Sequence, residues 1–321
     1  MAAIKGIYDH KISETPIAIV DFETTGLSPG MDRVLEISVA KLEPGRKPYL
    51  AFDTLVNPQR PVAATEIHGI TDEDVADAPL FCDIAGDFVD ALSGCVLAAY
   101  NVYFDMKFLN YELSRIGVDV LPPHFCLMYM RPLLDLGCRC NLGQACRDHR
   151  IEYNDAHIAA HDVQASARLM EYYNKVLAEQ HIITFGQLSR RKNYKFFNSF
   201  MNDPLSGPSV FQLKPCRRRK SRITAETPTL MDPVKQAIQE YWEGLRTVLA
   251  DLEITGVEQA AIIEIRSRLQ IPKEQVRMLH AKAFASVICQ FIEDKQLDDK
   301  EVDKLRILSQ CLSKLGWAPG E

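Results

Sequence analysis

Ile17-Ala18-Ile19-Val20-Asp21-Phe22-Glu23-Thr24-Thr25-Gly26 is the stretch whose reading decides the fold. Four apolar residues in a row suit a buried strand, and the run ends in acid. Side chains alternate along a strand, so Asp21 and Glu23 share a face and aim two carboxylates at one point. Thr24-Thr25-Gly26 then turns the chain away. Like charges this close repel and cost stability unless cations sit between them. Hard oxygen ligands of this kind suit Mg²⁺ or Mn²⁺. Taken alone, Asp-x-Glu reads as a solvated strand end.

Outward from this strand the pattern stays α/β. Residues 34–42 alternate well enough for a second strand, and residues 50–56 for a third. Residues 83–92 carry Ile84, Phe88 and Leu92 at helical spacing, and residues 95–100 suit a fourth strand. Residues 105–116 read as a helix with Phe108, Leu109 and Leu113 on one face, and residues 162–176 as another. Strands first, then strands alternating with helices, predict an α/β domain with a mixed sheet.

Two more acidic positions fall at predicted helix starts. Asn101-Val102-Tyr103-Phe104-Asp105 sits where a strand hands over to a helix, and a negative charge is favoured there. By itself Asp105 reads as a helix cap. In His157-Ile158-Ala159-Ala160-His161-Asp162 the first histidine precedes a helix that carries Asp162 on its first turn. An unperturbed imidazole titrates at about 6.5, so His157 can accept a proton from water at neutral pH. His161 immediately precedes the carboxylate and is a decoy.

Together these pieces resemble the DEDDh family of 3′→5′ exonucleases, which includes polymerase proofreading subunits. The likeness covers residues 17–177, about half the chain. Val20 through Gly26 resembles the family's first motif, Asn101 through Asp105 its second, and His157-x-Ala159-x-x-Asp162 its third. Glu36-Ile37, Asn57-Pro58 and Ile67-His68-Gly69-Ile70-Thr71 are secondary hallmarks, and Tyr100 departs from the histidine that many members carry. The resemblance implies a ribonuclease H-like mixed sheet flanked by helices. It implies that Asp21, Glu23, Asp105 and Asp162 hold two Mg²⁺ or Mn²⁺ ions about 3.5–4 Å apart. It makes His157 the general base toward a water, and the product a nucleoside 5′-monophosphate.

The implied partner is nucleic acid, a single-stranded 3′ end, with DNA first and RNA as the alternative because these motifs do not separate the sugars. His68 is a candidate contact to the terminal nucleotide, although its segment also reads as an ordinary turn. Phe22, Thr24, Asn101 and Phe104 neighbour the acids and are further candidates, although Phe22 and Phe104 read first as core, with Phe104 the one that could line a base pocket. A reading from another class makes the protein a module that recruits a polymerase or repair complex. Some relatives pair into homodimers, but no patch in this sequence identifies an interface.

Residues 186–222 differ in kind. They hold ten basic residues against one acid, Asp203, so they carry +9; the whole chain is −6, which leaves −15 on the other 284 residues. Tyr194, Phe196, Phe197, Phe200 and Phe211 are interleaved with the charge. Cations neutralise phosphates and aromatic faces stack on unpaired bases, so Arg190, Arg191, Arg217, Arg218 and Arg219 are candidate strand contacts. The plain alternative is a solvated linker.

Beyond it, Val234, Ile238, Trp242, Leu245 and Leu249 repeat at helical intervals. A weak internal repeat follows, with capping boxes predicted at Thr255/Glu258 and Asp298/Glu301. A short segment, Leu249 through Thr255, resembles TerB-like domains of tellurite resistance, which makes Asp251, Glu253, Asp294 and Asp298 positions to watch for metal. Helix capping is the simpler reading of all four. The expected organisation is an exonuclease domain over 1–180, a basic aromatic-containing linker or arm over 181–230, and an all-α accessory domain over 231–321.

Composition agrees with two domains in 321 residues. Hydrophobic residues at 47% and charged residues at 25% exclude a wholly disordered or collagen-like chain. No run reaches the ~18 apolar residues of a membrane span, and residues 1–10 lack the apolar core of a secretory signal, so a cytoplasmic setting is expected. The nine scattered cysteines are then expected as reduced thiols. Cys138, Cys140, Cys146 and His149 do not have a common zinc spacing.

Overall fold

The computed structural model describes residues 6–153, 157–214, 219–222, 233–249, 255–291 and 299–317. Its strands are β1 (Ile17–Thr24), β2 (Val34–Leu42), β3 (Tyr49–Leu55), β4 (Val96–Ala99) and β5 (His124–Cys126). Between and after them run α1 (Thr65–His68), α2 (Asp72–Ala76), α3 (Phe81–Leu92), α4 (Val102–Arg115), α5 (Leu127–Leu133), α6 (Leu142–Asp148), α7 (Ala159–Glu179) and α8 (Phe185–Ser189). The C-terminal part adds α9 (Pro233–Leu249), α10 (Gly256–Leu269), α11 (Lys273–Phe291) and α12 (Asp299–Lys314).

The five strands form one sheet in the order β3-β2-β1-β4-β5. β1 is antiparallel to β2 and parallel to β4, so it is the strand at which the sheet changes direction. β2 pairs antiparallel with β3, and β4 parallel with β5, which gives the mixed, ribonuclease H-like sheet expected from the sequence. The first half of β1, Ile17 to Val20, and all of β4 are apolar because both faces are covered. Phe22 lies 6.1 Å from Phe88 of α3, ring to ring, so odd-numbered Asp21 and Glu23 must point to the opposite face. The parallel pairing of β1 with β4 stops at Ile19, and the register with β2 shifts between Glu23 and Thr24. The acidic end of β1 therefore stays paired with β2 but has no partner on the β4 side, and it ends at an irregularity, as functional strand ends often do.

Residues 185–213 do not behave as a free arm. Phe196, Phe197 and Phe200 are buried in the main core, and Tyr194 and Phe211 pack against it. The Ile7 amide donates to the Phe200 carbonyl, and Ser199 exchanges hydrogen bonds with the His124 backbone. These rings are thus core anchors rather than stacking platforms. Farther along, the Leu55 amide donates to the Lys220 carbonyl, which continues the edge beside β3.

The C-terminal helices build a second core from Ile238, Tyr241, Trp242, Leu245, Leu279 and Leu312, and that core takes in Ala64 and Ile67 beside α1. Thr255 and Glu258 form the predicted capping box at the start of α10. A Cβ on Gly244 would come within 2.8 Å of Ile262, so the glycine lets α9 and α10 approach closely. Asp251, Glu253, Asp294 and Asp298 lie outside the described residues, as do Arg217 and Arg218. No described helix is long and apolar enough to cross a membrane.

Candidate active site

Four carboxylates and one imidazole meet beside the end of β1. Asp21 and Glu23 come from β1 itself. Asp105 sits on the first turn of α4, where its Oδ1 accepts from the Phe22 amide at 3.3 Å. That amide lies past the last residue paired to β4, so Asp105 satisfies a donor the sheet does not. Asp162 sits on the first turn of α7, and the Tyr153 hydroxyl donates to its Oδ1 at 2.8 Å. His157 precedes α7 with φ of +67°, left-handed backbone that histidine seldom adopts.

Ligand atoms of Glu23, His157 and Asp162 all lie within 4.8 Å of one another. His157 Nδ1 is 3.8 Å from Glu23 Oε1. Its other nitrogen, Nε2, is buried with no hydrogen-bond partner. Burial raises the Asp21 carboxyl to about 7, with Arg246 pulling the other way. Burial, and then the neighbouring Asp21, hold Glu23, Asp105 and Asp162 well above the usual carboxylate range. Burial depresses His157 to about 4, so its imidazole is neutral. These carboxylates strain against one another as the protein stands, and divalent cations would relieve that while releasing protons. An oxygen-rich cluster beside an orphaned buried imidazole nitrogen fits a hard divalent metal.

A second tier of residues holds this group in place. Glu36 on β2 is fully buried opposite Glu23, and its Oε2 accepts from the Ala159 amide at 3.1 Å. A carboxylate from the sheet therefore caps α7, whose own cap residue Ile158 offers no side-chain bond. Arg222 donates to the same oxygen at 3.1 Å, to the His68 carbonyl at 3.0 Å and to the His157 carbonyl at 3.4 Å. One guanidinium thus joins the histidine loop, the α1 turn and the capping acid. On the other side, Arg33 makes a two-pronged bond to buried Glu112 at 2.6 and 3.0 Å, tying the turn after β1 to α4. A Cβ on Gly26 would collide with the Asp32 carboxylate that organises this turn.

The remaining candidates divide. Thr24, His68 and Phe104 line the cleft beside Glu23. Asn101 precedes α4, with its Oδ1 buried and unpartnered. His68 already uses both ring nitrogens on backbone, with Ala63 O at 2.9 Å and the Ile70 amide at 3.0 Å. Phe22 is 2% exposed and belongs to the core, which corrects its reading as a substrate contact. The strand alternation that presents the acids sends this ring the other way. Arg191 pairs with Asp135 at 2.8 Å and contacts Gln180, just past the far end of α7. Eighteen residue steps separate Gln180 from Asp162, or about 27 Å along the axis. Arg190 and Arg191 are therefore remote from the carboxylates. Arg219 stacks over the Phe52 ring at 5.2 Å, on the β3 side. The cysteine set does not converge. Among the described residues the metal-competent group is the one at Glu23, His157 and Asp162.

Sequence reasoning found the helix α9 but missed its place at the cleft, along with Tyr153 and the linking role of Arg222. Trp242 and Arg246 of α9 line the same cleft as Glu23 and Phe104. Arg246 lies 3.9 Å over the Phe104 ring and donates to Glu243 at 2.7 Å. The available signal was an arginine four residues after Trp242, on an otherwise apolar helix face.

Residues 18–170 match the family described as exonuclease. The chain is 31% identical to a PolC-type DNA polymerase III of Streptococcus sanguinis (strain SK36) over 253 residues, 75% of this chain and 16% of that protein. It is 33% identical to the PolC-type DNA polymerase III of Bacillus subtilis (strain 168) over 176 residues, 53% of this chain and 12% of that protein. The chain thus spans under a fifth of the length of these relatives. Among solved structures it is similar to the nuclease domain of 3′hExo, a DEDDh family member bound to rAMP. That similarity is at 16% identity and TM-score 0.41, covering 53% of this chain and 94% of the other. Residues 18–170, just under half of the chain, are thus an exonuclease-family segment that carries the acidic motifs read from the sequence.

Proposed function

We propose that the chain is a metal-dependent 3′→5′ exonuclease that releases nucleoside 5′-monophosphates from a single-stranded 3′ end, with DNA as its substrate. The observation that carries this is the convergence of Glu23, His157 and Asp162 with Asp21 and Asp105 in one buried cluster. Asp21, Glu23, Asp105 and Asp162 would hold two divalent ions, Mg²⁺ or Mn²⁺. Such ions supply an acidified water and charge neutralisation at phosphate. His157, neutral and with Nε2 unpartnered, takes the proton from the attacking water. Tyr153 orients Asp162, and Glu36 with Arg222 fixes the loop that presents His157. Thr24, Asn101 and Phe104 are the residues best placed to meet the terminal nucleotide.

The likeness to PolC-type polymerases supports a proofreading or repair setting, with the helices beyond residue 231 as the accessory domain that meets a partner. The test is digestion of 5′-labelled single-stranded DNA and RNA with Mg²⁺, Mn²⁺ or EDTA, beside Asp21→Ala. A metal-dependent ladder shortening from the 3′ end, lost in the variant, is expected. No cleavage of either strand under any metal, or a ladder that persists in Asp21→Ala, would overturn the assignment.

A further inference from the structure

The cleft at the carboxylates is occupied by the chain itself. Helix α9 lies across it, with Trp242 and Arg246 forming one wall and Glu23, Thr24 and Phe104 the other. The interior space left between them is water-sized, about 20 Å³. Arg246 has Glu243, Asp105, Glu23 and Asp21 as its charged neighbours. Its Cζ covers the Phe104 ring, and its Nε is buried without an acceptor. A guanidinium brings one positive charge to a place where several carboxylates need more.

The helix is also held by contacts outside the cleft. Gln239 of α9 donates to the Ile67 carbonyl. Arg139, beside α6, pairs with buried Glu258 of α10 at 2.5 Å, and Arg147 of α6 faces Glu240 of α9 at 3.7 Å. Ala64 and Ile67 complete the apolar core that contains Trp242. The covering is therefore a docked interface with its own apolar core and ion pairs.

We infer that α9 is an intramolecular plug of the exonuclease cleft, with Arg246 standing in for the metal cations among the carboxylates and Trp242 closing the wall at Phe104. Metal and a 3′ end must then displace the helix, because guanidinium and cation compete for the same cluster of negative charge and the nucleotide for the same space. The released helices become a surface available only in the working state. This inference rests on the exonuclease reading above and adds control to it.

The test uses the full chain and two variants, Arg246→Gln in the cleft and Arg139→Glu at the distant ion pair. Mn²⁺ binding is followed by electron paramagnetic resonance, with Asp21→Asn as the control for the site. Hydrogen exchange of α9 is measured with and without Mn²⁺, and hydrolysis of a 5′-labelled oligonucleotide is measured in parallel. Both variants are expected to bind Mn²⁺ about tenfold tighter, since each removes part of a competing closed state. Mn²⁺ is expected to speed exchange along α9 in the unmodified chain. Unchanged Mn²⁺ affinity in Arg139→Glu, or an α9 that stays protected with Mn²⁺ bound, overturns the plug. If hydrolysis also falls in Arg246→Gln, Arg246 is instead a substrate-contacting residue. Tighter Mn²⁺ binding and faster exchange with no hydrolysis by any form would keep the plug and sink the exonuclease reading. Hydrolysis with neither shift would do the reverse.

Discussion

Two segments beyond the sheet each send an arginine to the carboxylate cluster, and they meet it differently. Arg222, from the short stretch alongside β3, bonds Glu36 and two backbone carbonyls and stays behind the site. Arg246, from α9, enters the cleft and lies among the acids themselves. The first guanidinium is spent on positioning, and none of its acceptors is one of the four acids proposed to hold metal. The second donates to Glu243 and brings its charge close to the acids that metal would use. A buried arginine near a metal site is thus informative only once its acceptors are known.

The comparison has force only if the acids do the chemistry. Asp162→Ala should lower turnover by roughly a thousandfold or more, since a shared metal ligand is lost. Residual activity near the unmodified rate, measured at saturating metal, would remove the reason to distinguish the two arginines. Arg222→Ala should cost about 10- to 100-fold in kcat with little change in KM, because it loosens the His157 loop without touching substrate. Arg222→Lys should recover part of the loss, and a change confined to KM would make Arg222 a substrate contact. Neutralising Arg217, Arg218 and Arg219 together should raise KM by about three- to tenfold and flatten its salt dependence. An unchanged salt slope would leave that tract a linker.

Acid should also act on the α9 side, through a histidine outside the site. His280 of α11 is fully buried, 2.8 Å from the Tyr241 hydroxyl of α9, and burial depresses it to about 4. The unfolded chain binds that proton at about 6.5, so the stabilisation is complete above this pH and declines as pH falls toward 4. Between pH 7 and pH 5 the loss should be roughly 1–2 kcal/mol, read from denaturant unfolding and reduced in His280→Gln. The smallest effect belongs to Arg190 and Arg191. Their distance from the acids is several screening lengths at ordinary salt, so neutralising both should change KM less than about twofold. A larger change would require the strand to run along the far end of α7.

Much of the sheet was legible because its pattern is local. The apolar run at Ile17 through Val20, the alternation in 34–42 and the acids at two helix starts each follow from neighbours in sequence. The candidate catalytic set was legible for a different reason. Each acid alone reads as a solvated strand end or a helix cap, and only the three motifs together, by their family resemblance, single the set out. What could not be read lies in long-range contacts. Nothing local says that Glu36 caps a helix 123 residues later, or that Arg222 joins it. The aromatic residues near 196 misled because a ring among cations looks the same whether it meets a base or a core. Arg246 was hidden by its surroundings, since an i,i+3 pair with Glu243 is what a solvated helix would also display.

The left-handed backbone at His157 carries a practical consequence for trapping a substrate. Alanine there would relax the loop as well as delete the imidazole, so its defect would mix two causes. Asparagine tolerates positive φ well and cannot serve as the proton acceptor. His157→Asn therefore keeps the loop, the acids and their metal affinity while leaving the strand uncut, which makes it the form in which to capture an intact 3′ end.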